Sequence, residues 1–182
     1  MDIMLVGGVS PMTKRLSLKL YKEGHRIYVL SGDRNPSNRY EHAFDRYNFS
    51  YDSASVEEVF QSVNPDVTIL LGAFDGNLPG ENPKQEAVEY AAGLQNILVS
   101  WSALEKGRLI FLSSVEVYGD SYHIPVTEEV RPVPRGIRPL MLFQAEESCR
   151  FYQEQLKKDT VCNADPTHIP QKDGQQEGRY HS

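Results

Sequence analysis

Residues 2–34 read DIMLVGGVSPMTKRLSLKLYKEGHRIYVLSGDR. The apolar run Ile3-Met4-Leu5-Val6 leads into Gly7-Gly8, after which Met12, Leu16 and Leu20 recur at one-turn spacing before a second apolar run, Ile27 to Leu30. This pattern predicts strand, tight turn, helix, strand. Ser10 as N-cap with Pro11 at the first helical position is a favourable helix start. A βαβ unit receives its ligand at that turn, because the free backbone N–H groups and the positive end of the helix dipole both face the crevice beyond the strand.

The remainder of the chain extends the same pattern. Asn35 to Arg46 is polar and reads as a loop with a short helix at Glu41 to Arg46, and Tyr47 to Tyr51 alternates as a short edge strand would. Ser53 or Ser55 caps a helix carrying Val56, Val59, Phe60 and Val63, with Glu57 and Glu58 in its first turn, and Asn64-Pro65 ends it. Val67 to Leu71 is a continuous apolar run, as in a parallel strand covered on both faces. A helix is expected from Lys84 to Lys106, with Ala87, Ala91, Leu94, Ile97, Leu98, Trp101 and Leu104 on one stripe. Arg108 to Ser113 is the next strand, followed by a Pro-rich connection through Pro125, Pro132, Pro134 and Pro139. A helix over Leu140 to Lys157 and a short strand at Thr160 to Cys162 complete the series.

Strands separated by helix-length segments, joined by right-handed crossovers, imply an α/β fold with a doubly wound parallel sheet of about six strands in the order 3-2-1-4-5-6. Residues 1–170 are expected to form one Rossmann-type domain, and 171–182 a disordered polar tail. The length of 182 residues suits a single domain. A net charge of −6, without a Lys/Arg run longer than two, argues against nucleic acid or an anionic membrane as partner. The two cysteines, Cys149 and Cys162, have no zinc-site spacing and read as ordinary reduced thiols, and no segment approaches about 18 uninterrupted apolar residues. The N-terminus lacks the regions of a signal peptide, so the expected location is cytoplasmic.

Several stretches together resemble the extended short-chain dehydrogenase/reductase family, the nucleotide-sugar epimerases and dehydratases. They are Gly7 to Thr13, Leu71-Gly72-Ala73, Asn96 in the long helix, and above all Ser113-Ser114-Val115-Glu116-Val117-Tyr118-Gly119. The likeness spans roughly residues 2–170. It implies a Rossmann-type fold binding NAD or NADP. The implied cofactor contacts are Gly7, Gly8, Ser10 and Met12 in the first turn, Ser31 and Arg34 after the second strand, and Gly72 and Ala73 after the fourth. It also implies a homodimer through the long helix, although the stripe from Leu94 would serve equally to cover the sheet.

The departures from the family pattern are equally specific. Ser10 and Thr13 stand where the family has its second and third glycines, and their side chains should crowd the nucleotide. Ser31 stands where NAD-dependent members carry an acidic residue, and with Lys14 and Arg34 nearby a 2′-phosphate is the better match, which leans toward NADP. The family's Tyr-x-x-x-Lys pair, which moves the proton while nicotinamide moves hydride, is missing. No Tyr in the chain has a Lys four residues later, and in the expected register Leu140 and Gln144 occupy the two places. The catalytic candidates left are Ser113 or Ser114 and, directly after the strand, Tyr118. The five histidines are scattered, so no metal site is expected.

Extended members place a sugar-nucleotide pocket in a further domain, and Asp165 to Pro170 resembles the connection to it, so the chain reads as a truncated form. Three functions follow from these residues: a dinucleotide-binding domain with weak or no catalysis, an active reductase or epimerase using Tyr118 as its acid, or a non-catalytic interaction subunit.

Overall fold

The computed structural model describes residues 1–7, 11–31, 45–48, 53–71, 83–119 and 130–165. In chain order the elements are β1 (Asp2–Val6), α1 (Pro11–Lys22), β2 (Arg26–Ser31), β3 (Asp45–Asn48), α2 (Ser53–Val63), β4 (Val67–Leu71), α3 (Pro83–Ser102), β5 (Arg108–Ser114), a 3-10 turn (Val115–Tyr118), α4 (Ile137–Leu156) and β6 (Thr160–Asp165). The strands form one six-stranded sheet in the order β3-β2-β1-β4-β5-β6. All five pairings are parallel, as right-handed crossovers through intervening helices require. This is the doubly wound order that the spacing of apolar runs predicts.

Alternate residues of each strand serve opposite faces. On one face Met4, Val6, Leu30, Leu70, Leu109 and Phe111 pack beneath α2, α3 and α4, which contribute Phe60, Leu94, Ile97, Leu98, Trp101, Leu142 and Ala145. Each large side chain removed from water there is worth about 1.5–3 kcal/mol. On the other face Ile3, Leu5, Ile27, Val29, Ile69 and Leu71 lie against Leu16 and Leu20 of α1. The stripe of α3 from Leu94 to Trp101 thus covers the sheet.

Local chemistry moved several boundaries. The buried side chains of α1 are Thr13 and Ser17, while Met12 is 44% exposed. Small side chains at the helix–sheet contact let α1 sit close, which a long Met could not. β3 begins at Asp45, so the strand expected at Tyr47 to Tyr51 starts two residues earlier and overlaps the helix expected at Glu41 to Arg46. Starting α2 at Ser53 puts Glu57 and Glu58 beyond its first turn. α3 ends at Ser102, four residues before Lys106. α4 starts at Ile137, with Pro139 inside its first turn, where a backbone N–H has no intrahelical partner to lose. β6 runs on to Asp165. Residues 171–182 lie outside the described residues. Among the described residues no helix is long and apolar enough to cross a membrane, and no group of His, Cys, Asp and Glu is placed to hold a metal ion.

Candidate functional site: the crevice beyond β1, β4 and β5

The carboxyl ends of β1, β4 and β5 lie side by side, and the crevice beyond them is bounded by the start of α1 and the start of α4. Gly7 leaves β1 with φ 128°, a conformation that disfavours any side chain, and its N–H donates to the Leu30 carbonyl at 3.0 Å. The chain is thereby turned toward α1, whose first residue is Pro11, as expected. Gly8, Ser10, Arg34, Gly72 and Ala73 lie outside the described residues.

Thr13 corrects an expectation. Its side chain is 2% exposed, beneath α1 against the sheet, so it fills the helix–strand contact and does not crowd the crevice. Met12 next to it is turned to solvent. Ser31, at the end of β2, is fully buried.

β5 delivers the two serines to opposite faces. Ser114 is extended (φ −140°, ψ 150°), and its hydroxyl oxygen accepts from the Glu116 N–H at 3.3 Å, capping the 3-10 turn. At the other end of the turn Gly119 has φ 69° and donates its N–H to the Glu116 carbonyl at 3.0 Å. A methyl group on Gly119 would collide with the Val133 carbonyl oxygen, so this corner admits only glycine. Tyr118, the residue singled out as a replacement acid, is half-buried against the main core.

Ser113 faces α4, in line with Leu109 and Phe111. Its hydroxyl is buried and makes no hydrogen bond among the described residues. The Glu146 carboxyl lies beside it; burial pushes that carboxyl above the usual carboxylate range, and the Ser113 hydroxyl and Arg150 only partly offset this. A folded-state pKa above the unfolded one means that the folded state holds the proton more tightly, so stability falls as pH rises through that window. Glu146→Gln is therefore expected to raise the urea midpoint at pH 7 and to lose that advantage near pH 4. An equal effect at both pH values would contradict the assignment.

One face of α4 is turned inward. Arg138, Leu142, Ala145, Glu146 and Cys149 share it at i, i+4, i+7, i+8 and i+11, with Leu142, Ala145 and Cys149 buried. Arg138 reaches Glu116, Nε to Oε2 at 3.5 Å, with the two side chains 33% and 16% exposed. Leu140 is 44% exposed, and Gln144 lines a groove of about 400 Å³ on the outer side of α3 and α4, together with Tyr90, Leu94, Gln95 and Glu147.

Comparison with known proteins agrees with this architecture. The family model described as NAD dependent epimerase/dehydratase matches residues 3–168. Comparison with curated protein sequences gives no match. Among solved structures, UDP-glucose 4-epimerase of Thermotoga maritima with UDP-glucose superposes with a TM-score of 0.77 at 19% identity, covering 89% of this chain and 54% of that one. UDP-glucose 4-epimerase of Brucella ovis in complex with NAD gives 0.76 at 19%, covering 88% and 50%. A short-chain dehydrogenase/reductase superfamily protein of Agrobacterium tumefaciens with bound NAD gives 0.75 at 22%, covering 89% and 48%. The chain thus spans about half the length of the structures it matches. With a matching model over residues 3–168 and the sheet order and strand-end serines in place, the chain belongs to the NAD-dependent epimerase/dehydratase family.

Proposed function

We propose that this chain binds a nicotinamide dinucleotide in the crevice beyond β1 and β4, preferring NADP to NAD, and that it performs no epimerase or dehydratase turnover as it stands. The residues present suit the phosphate end of such a ligand. Gly7 keeps a backbone conformation open to close approach, α1 presents its N-terminus, and the buried Thr13 leaves that terminus unobstructed. The adenosine end favours a phosphate over a bare ribose, since Ser31 is buried, Lys14 is exposed on the first turn of α1, and Arg34 follows β2 in sequence. Two of the three structures named above hold NAD, so the preference for NADP rests on this chain's own charges.

When bound, the nicotinamide supplies the hydride donor or acceptor. The chain's own part would be proton transfer, and the observation that carries the proposal is that no Tyr of the sequence is followed four residues later by a Lys. In the register that the resemblance implies, Leu140 and Gln144 hold those two places, and neither side chain serves as an acid or base. The Ser114 hydroxyl can donate to a ligand oxygen but lacks a base, its oxygen already serving as a cap. Tyr118, packed on the core, is not favoured as a substitute. Titration with NADPH and NADH tests the binding, and a UDP-hexose assay tests the silence.

A second copy of the chain is the partner that the outer face of α3 and α4 suits. Exposed Val88 and Val99 extend the Ala91 and Gln95 edge of the outer groove, and exposed Leu140 and Phe151 extend the Gln144 and Glu147 edge. Sedimentation equilibrium is expected to give a dimer; a single-chain mass at micromolar concentration would rule this out.

A further inference from the structure

The only two cysteines of the chain meet where α4 crosses the edge of the sheet. Cys149 is fully buried on the inner face of α4. Cys162 lies on β6, the outermost strand, in register with Phe111, whose side chain faces the same helix. Neighbours in register on parallel strands point to the same face, so Cys162 points toward α4. The Thr160 hydroxyl, two residues earlier on that face, donates to the Cys149 carbonyl at 3.4 Å. The two thiols thus lie on facing sides of the α4–β6 contact, Cys162 exposed and Cys149 buried.

We propose that Cys149 and Cys162 form a peroxide-responsive dithiol site, with Cys162 as the attacking thiol and Cys149 as the resolving one. The roles follow from the asymmetry of the pair. Exposure lets a small peroxide reach Cys162, and the hydrogen bond from Cys149 favours the Cys162 thiolate, lowering its pKa, with Arg150 assisting and burial, Glu146 and Glu147 opposing. Cys149 donates that bond from a buried position near Glu146, and all three influences hold its proton in place. A low-pKa, accessible cysteine beside a second thiol is the arrangement that peroxide-sensing chemistry needs.

The chemistry balances with hydrogen peroxide as oxidant. The Cys162 thiolate attacks one peroxide oxygen, the O–O bond breaks, and the departing hydroxide takes up a proton as water, leaving a sulfenic acid. The Cys149 sulfur then attacks the Cys162 sulfur; the S–S bond forms, the S–O bond breaks, and hydroxide leaves as water with the Cys149 proton. Two thiols lose two electrons and the peroxide becomes two waters. The product ties α4, which carries Arg138 and Glu146, to the strand at the sheet edge.

The test is treatment of the reduced chain with a small excess of hydrogen peroxide, followed by intact mass and tryptic mapping. Expected are loss of two hydrogen atoms, loss of both alkylatable thiols, and a linked pair of peptides, one ending at Arg150 and one beginning at Asp159, all reversed by dithiothreitol. Closing that short loop is also expected to raise the melting temperature by several degrees. Cys149→Ser should arrest at a sulfenic acid on Cys162 that a cyclic 1,3-diketone traps, and Cys162→Ser should leave Cys149 unoxidised. Disulfide-linked dimers through Cys162 without the internal pair, or two thiols that stay reduced and alkylatable, would overturn the proposal, and the wild-type mapping decides this even if a variant does not fold.

Discussion

Incubated with NAD or NADP and UDP-glucose, the purified chain is expected to leave the sugar unepimerised. Its rate should fall at least about 10²–10⁴-fold below that of a Tyr/Lys-bearing relative assayed alongside, the range a positioned acid–base group contributes. The expectation rests on the sequence: no Tyr is followed four residues later by a Lys, and in the register that the resemblance implies Leu140 and Gln144 hold the two places. The inner face of α4 carries Arg138, paired with Glu116, then Leu142, Ala145, Glu146 and Cys149. On that face the Glu146 carboxyl, its acidity weakened by burial, lies beside Ser113. Turnover abolished by Glu146→Gln would move the acid–base role to that carboxyl and refute catalytic silence; no turnover in either protein is the predicted result.

Trp101→Ala is expected to lower the unfolding free energy by about 3–5 kcal/mol, the range for emptying a large buried aromatic site. Trp101 is 1% exposed near the end of α3 and meets Tyr152 of α4 edge-on, with ring centroids 6.2 Å apart and an interplanar angle of 65°. It lies in the one cluster that joins α2, α3 and α4 to the sheet, so its removal loosens the helix that furnishes the crevice. Its ring N–H is buried and makes no hydrogen bond among the described residues, a cost that the native protein carries. Trp101→Phe, which removes that N–H and keeps an aromatic ring, should therefore cost much less than the alanine variant. Circular dichroism during urea unfolding measures both, since the chain has no other tryptophan to report by fluorescence. Equal losses in the two variants would contradict the packing argument.

The sheet order was legible because the apolar runs at Ile3, Ile27, Val67 and Arg108 to Ser113 are separated by helix-length segments, and parallel strands buried on both faces need no alternation to be recognised. The stretch Ser113 to Gly119 was legible only as a resemblance; the cap by Ser114 and the 3-10 turn that Gly119 ends emerge from the structure. Which face of a helix is buried was harder to read. In α1 the contact needs small residues, so Thr13 and Ser17 went inward and Met12 outward, against the hydropathy pattern. In α4 the start was hidden by Pro139, which reads as a breaker in sequence yet is harmless in a first turn. The meeting of Cys149 with Cys162 was not legible at all, because one lies on a helix and the other on a strand, and only the crossing of the two sets their separation.

The central claim is that the cradle for a dinucleotide persists although the proton-transfer pair is gone, and equilibrium titration with NADPH, followed by nicotinamide fluorescence, tests it most directly. Saturable binding at micromolar concentration, tighter than for NADH and lost when Gly7 is replaced by valine in a chain that still unfolds cooperatively, is the predicted result. No change in fluorescence up to millimolar NADPH and NADH would contradict it.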